Sequence, residues 1–176
     1  MTGKNIRKLV LAALLAALTA VATMIIRIPT PTQGYIHLGD GMVLICGILL
    51  GPGLGALAAG IGSMMADLIG GYMPGTFAIK ALTALLGGWL YHRMAGKGMN
   101  TITRVVLCGI PAEIVMVLGY FVYEVGMEVV MGSSMGAAAA AVVLGVPMNI
   151  VQGIAGIIVG AVLLPVLSHA SAEMGE

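Results

Sequence analysis

Charge is what this chain has least of. Only 9% of its 176 residues are Asp, Glu, Lys or Arg, against 60% hydrophobic residues and a mean hydropathy of +1.09. A soluble domain needs far more charge to cover its surface, so an integral membrane protein is implied. The net charge of +1 offers no basic excess for nucleic acid. Aromatics are scarce as well, at 5% with a single Trp. The two cysteines, Cys46 and Cys108, lie inside apolar runs without metal-ligand spacing. That pattern suits buried small hydrophobes. Catalytic signatures are missing too: no HExxH, GxSxG or P-loop occurs. The chain is therefore not read as an enzyme, and no cofactor or metal is assigned to it.

Apolar runs fill the length instead. At about 20 residues per helical span, roughly six spans with short loops use the whole chain. The predicted fold class is an all-α membrane protein, a single integral membrane domain over residues 1–176 with six transmembrane helices. Any nucleotide hydrolysis would then come from a partner. Span one covers about Ile6 to Ile26. Its alanines Ala12, Ala16 and Ala20, with Ala13 and Ala17 beside them, recur at helical spacing. Such a small-residue face serves either internal packing or the docking of another subunit. The following IPTPTQGYIH has two prolines that forbid regular helix. Tyr35 and His37 there fit either a membrane interface or a loop that covers a site.

Residues 41–66 carry no charge. As one helix they would measure about 39 Å, but Gly51-Pro52 breaks the run, with Pro52 suited to a first helical turn. A short span two from Gly39 to Leu50 and a span three from Pro52 to Ile69 are predicted. Span four runs from about Gly75 to Tyr91 and span five from Val105 to Tyr123. After the MGSSMG stretch, span six runs from Ala138 to Leu164 and ends at Pro165. Six spans put both termini on one side, together with Lys4, Arg7, Lys8, Arg93, Lys97 and Arg104. The other side holds Arg27, Glu124 and Glu128. The positive-inside rule makes the first side cytoplasmic. Asp40, Asp67, Tyr72, Lys80, Tyr120 and Tyr123 then fall in the outer half.

An ionisable side chain inside a span needs a partner or a wet cavity. Lys80 has three readings: a ligand contact, snorkelling to the outer interface, or a pair with Asp67. Glu113 lies deeper, in span five. Asn149 and Gln152 share a PxNxxQ pattern with Pro147 at similar depth. Each can donate and accept, as the edge of a heterocycle requires, or as glue between helices requires. Lys80, Glu113, Asn149 and Gln152 are expected to converge on one cavity.

These residues also carry a family resemblance. In order they are the Ala-rich first helix, IPTPTQGYIHLGDG, LLGPGLGALAAGIGSMMADLIGGY, FAIKAL and PMNIVQGIAG. The chain resembles the substrate-binding S component of energy-coupling factor (ECF) vitamin transporters. It is most similar to the branch with riboflavin-, hydroxymethylpyrimidine- and pyridoxine-type members. The resemblance implies a multi-pass protein of a bacterial-type cell membrane with cytoplasmic termini. It implies a vitamin pocket near the outer face, closed by the first loop and lined by later helices, with Asn149 as a ligand contact. It implies docking of Ala12, Ala13, Ala16, Ala17 and Ala20 onto a transmembrane T component, with ATP used by two partner ATPase subunits. Trp89, the sole Trp, falls near the cytoplasmic end of span four. Ring stacking is thus left to Tyr35, Tyr72, Tyr120 or Tyr123, which favours a ring smaller than a flavin. Outside this reading stand an assembly subunit without ligand and a stand-alone facilitator.

Overall fold

A computed structural model describes residues 3–25, 27–29, 35–68 and 73–173. Tyr72 lies outside the described residues, and so does the side chain of Tyr35. Helix α1 (Gly3–Ile25) leads into a minimal hairpin in which β1 (Ile28–Pro29) pairs antiparallel with β2 (Tyr35–Ile36). Then come α2 (Gly39–Leu50), α3 (Pro52–Asp67), α4 (Met73–Arg93), α5 (Thr101–Val130), the short α6 (Met135–Val142), one 3-10 turn and α7 (Val146–Glu173). The described residues form seven α-helices, of which α6 is the shortest.

The break between α2 and α3 falls where the sequence places it. Gly51 takes φ +83°, a conformation that disfavours a Cβ, and Pro52 opens α3. Both helices are short: 12 and 16 residues give about 18 and 24 Å, less than a hydrocarbon core of about 30 Å. Among the described residues, three helical stretches are long and apolar enough to cross a membrane, namely Asn5–Ile25, Thr101–Val130 and Met135–Ser168. They cover predicted spans one, five and six; spans two, three and four are present as helices that fall short of that length or apolarity. Residues Gly39 to Ile48 are all buried, and α2 touches α1, α3, α4 and α7. It is the core of the bundle, not a lipid-facing span.

Close backbone approach holds that core together. A methyl on Gly47 would fall inside the envelope of the Ala84 carbonyl oxygen, and one on Gly88 inside that of Gly47. Backbones of α2 and α4 therefore touch at this level, as small residues permit in lipid. Helix α3 lies between α1, α2 and α4, with Gly55, Ala59, Gly62, Ser63 and Ala66 all buried.

Three further boundaries depart from expectation. Helix α5 extends to Val130, so Glu124 and Glu128 ride on its C-terminal end instead of in a loop. Span six is divided by the 3-10 turn Val143–Gly145, and Pro147 sits in the first turn of α7, where a missing N–H costs nothing. Helix α7 then passes through Pro165 to Glu173; Ser168 donates to the Pro165 carbonyl at 2.8 Å.

Candidate functional site: a buried polar network across five helices

One end of the bundle holds a chain of polar side chains with almost no exposure. Asp40 lies in the first turn of α2, where the helix dipole favours an anion. Lys80 of α4 forms an ion pair with it, and both side chains are fully buried. This corrects one expectation: the partner of Lys80 is Asp40, not Asp67. Gln152 of α7 donates through Nε2 to the other Asp40 oxygen at 2.7 Å. Its own Oε1 accepts the His37 backbone N–H at 3.0 Å. His37 Nδ1 in turn accepts the Gly39 N–H at 3.0 Å. The loop ahead of α2 is thus tied to α7 through a single glutamine.

The network continues on the other side of Lys80. Its ammonium stands 5.1 Å from the centroid of the Tyr120 ring of α5, within cation–π range. Tyr120 donates to Thr76 Oγ1 at 3.4 Å, and Thr76 donates to Asp67 Oδ2 at 2.5 Å. Arg27, after α1, donates to the carbonyl of Ala66 at 2.7 Å and so anchors the start of the first loop to the end of α3. Buried charges must be paired and their remaining lone pairs satisfied; Asp40 meets both conditions here.

Of the sequence candidates, the structure brings together Asp40, Lys80, Gln152, Tyr120 and His37, with Asp67 joined through Thr76. Asn149 is half-buried one turn from Gln152 and makes none of these bonds. Glu113 is buried, with no hydrogen-bond partner on either carboxyl oxygen, and takes no part in the chain of bonds. Thr76 was not singled out by sequence reasoning, because a threonine in an apolar helix gives no signal of its own. Gly156 marks the approach of α7 to the site, since a methyl there would lie 2.6 Å from Asp40 Cβ.

The alanine face of α1 splits in two. Ala12 is buried with Leu15, Thr19 and Thr23. Ala16 and Ala20 are half-buried, and the Ala16 carbonyl sits against Gly62 of α3. Ala13 and Ala17 point outward and are exposed.

His37 lies in the connection between β2 and α2. Burial, reinforced by nearby Lys80, pulls its pKa from 6.5 to about 4 against the opposing pull of Asp40 and Asp67. The folded state thus holds it neutral while the unfolded chain takes a proton below pH 6.5. Its contribution is full above that value and is lost as pH falls toward about 4. Melting temperature in nanodiscs is expected to drop through this window. His37→Asn keeps an acceptor near the Nδ1 position without titrating, and its drop should be shallower. Parallel curves for the two proteins would remove His37 from the account.

Comparison with known proteins gives matches of three kinds. A family model described as ECF-type riboflavin transporter, S component, matches residues 3–169. A protein of Pyrococcus woesei, described as an uncharacterized protein in a gap 3' region, is 37% identical over 143 residues, covering 80% of this chain and 87% of its own. The solved S component of a bacterial ECF transporter aligns with a TM-score of 0.65 at 22% identity, over 94% of this chain and 97% of that one. At that identity the likeness is one of fold.

Proposed function

Because the chain belongs to the family of ECF-type riboflavin transporter S components, we propose that it is the substrate-capturing subunit of such an importer, taking a vitamin or vitamin precursor from outside. The observation that carries this reading is the Asp40–Lys80–Gln152 cluster. Three helices contribute to it, and a loop residue, His37, closes onto it. Opening the loop would free Gln152 Oε1 from His37, and a ligand entering there could exchange with the bonds that Gln152 and Lys80 make to Asp40. Together these match a ring edge that donates and accepts. Tyr120 offers a face for stacking. The low aromatic content favours a hydroxymethylpyrimidine- or pyridoxine-like ring over riboflavin, which the family's description names. Asn149 and Tyr72 belong to the same proposed mouth.

The protein does no catalysis in this reading. ATP is used by two partner ATPases, and a transmembrane T component docks on the exposed Ala13 and Ala17 of α1. Both termini lie in the cytoplasm of a multi-pass cell-membrane protein. Counting α4 as a crossing beside α1, α5 and α7, with the short α2 and α3 going inward and returning as a pair, keeps both termini on one side. The basic residues at the far end of the bundle from Asp40 support this orientation.

The test is ligand binding by the purified chain. Saturable binding is expected for one member of a panel of hydroxymethylpyrimidine, pyridoxine and riboflavin, with the same compound found by mass spectrometry after gentle purification. Binding of riboflavin alone would overturn the preference for a small ring. Binding of nothing across all B vitamins and their precursors would sink the capture role and leave an assembly subunit.

A further inference from the structure

Helix α4 sorts its residues by face. Thr76, Lys80 and Thr83 turn inward and are buried. Ala78, Leu82, Leu85 and Trp89 follow one another at helical spacing, and all are exposed. That spacing draws a single stripe along the outside of the helix. Arg93, one turn beyond Trp89, closes the stripe at the C-terminal end of α4. Its guanidinium stands 4.9 Å from the centroid of the Trp89 ring, within cation–π range, so the indole helps to hold the cation in place. The chain then turns through Gly96 and Gly98, both at positive φ, with the exposed Lys97 between them. Among the described residues no carboxylate pairs with Arg93 or Lys97. Arg104 is engaged elsewhere: it donates to the Tyr91 carbonyl at 2.8 Å and lies over the Tyr91 ring.

We propose that this stripe and its two cations form a site for one anionic phospholipid. An acyl chain lies along Leu82 and Leu85. Trp89 sits at the level of the glycerol backbone, where an indole is favoured. The headgroup phosphate meets Arg93 and Lys97. The rise from Ala78 to Trp89 is about 17 Å, close to one leaflet of a hydrocarbon core of about 30 Å. Charge decides the headgroup. A zwitterionic lipid would bring its own ammonium up to two cations, and an anionic one brings none. A soluble acidic segment would match the cations and leave the leucines beneath them unexplained; a phospholipid matches both. Arg93 lies about 20 Å along α4 from Lys80, so the site stands whether or not the polar network takes a vitamin.

Trp89 is the sole tryptophan of the chain, so its fluorescence reports on this place alone. The protein is placed in phosphatidylcholine vesicles containing a minor fraction of phosphatidylglycerol, with bromine on the acyl chains of one lipid or the other. Quenching is read against unbrominated lipid. Phosphatidylglycerol is expected to be preferred about 25-fold, a factor of about five for each interfacial cation. R93Q and K97Q should each keep about fivefold, and R93K nearly the full preference. All three should melt with the wild type, because both side chains are exposed. Equal quenching by the two lipids at equal fraction would overturn the site and leave an ordinary lipid boundary. A preference that survives in R93Q/K97Q would overturn the role of these two cations. Loss of the preference on adding inorganic phosphate at matched ionic strength would assign them to a soluble anion instead. A Trp89 that neither lipid quenches would show the stripe covered by a second copy or another chain, and would overturn the lipid site as well.

Discussion

Lys80→Ala is expected to cost about 3–5 kcal/mol of stability, because it leaves the Asp40 carboxylate buried without its cation. Both side chains are fully inaccessible, so water cannot take the place of the ammonium. Gln152 alone would remain, offering a single hydrogen bond at 2.7 Å. The outer end of the bundle should loosen first, since Asp40 also fixes the contact of α2 with α7 near Gly156. A double variant, Asp40→Asn with Lys80→Met, removes both charges and keeps similar volume. It should melt within a few degrees of wild type, because exchanging a buried pair for neutral groups is often close to neutral in stability. Stability and capture then separate. The double variant should fold and still lose vitamin affinity more than about tenfold, the worth of a hydrogen bond to a charged group. Thermal melts and titrations on the same preparations decide it. A Lys80→Ala protein as stable as wild type would mean that the pair is solvated. A double variant with full affinity would make the pair scaffold and move the site elsewhere.

The pair also illustrates what the sequence could and could not reveal. Helix ends were readable because their signals are local. Gly51-Pro52 breaks the chain by backbone geometry alone, and α2 spans the predicted residues. The partner of Lys80 was not readable, because it depends on the register between two helices far apart in sequence. That register is set where Gly47 meets Ala84 and Gly88. Seven residues earlier on both helices, two full turns, Asp40 stands opposite the segment that holds Lys80. Two glycines at the crossing, not the charges, determine which acid the lysine meets. Asp67, closer in sequence, is held by Thr76 instead.

Hydropathy also failed to separate core from lipid-facing surface. Lipid tails are as apolar as leucine, so the uncharged run through α2 looks the same whether it meets neighbours or bilayer. The buried α2 and the exposed Ile110, Ile114 and Leu118 of α5 are equally apolar. Only small residues at close crossings distinguish the two, and these mark the interior. For Glu113, position in the chain indicates depth but not direction, and the structure buries it against Gly153 of α7.

The same ambiguity lay over the alanines of α1, and resolving it yields the second large effect. Ala17→Leu should disrupt docking of the T component by roughly five- to 150-fold, the consequence of about 1–3 kcal/mol of overpacking at a close helix crossing. Ala17 and Ala13 are one turn apart and exposed, flanked by the exposed Leu14, Leu18 and Val21. A leucine there joins an apolar surface and barely changes helix propensity, so fold and vitamin binding should persist. Ala12→Leu is the contrasting variant. Ala12 is 7% exposed, inside the contact of α1 with the core, and a larger side chain should lower the melting temperature before any partner is met. The readouts are co-purification with the T component and ATPases, vitamin uptake in cells, and ligand titration of the isolated chain. Ala17→Leu should lose the first two and keep the third. If it assembles and transports as well as wild type, the partner sits on another face. Exposure divides the alanine stripe: 13 and 17 lie on the surface of the bundle, where the two variants test for a neighbour, and 12 is committed to the fold.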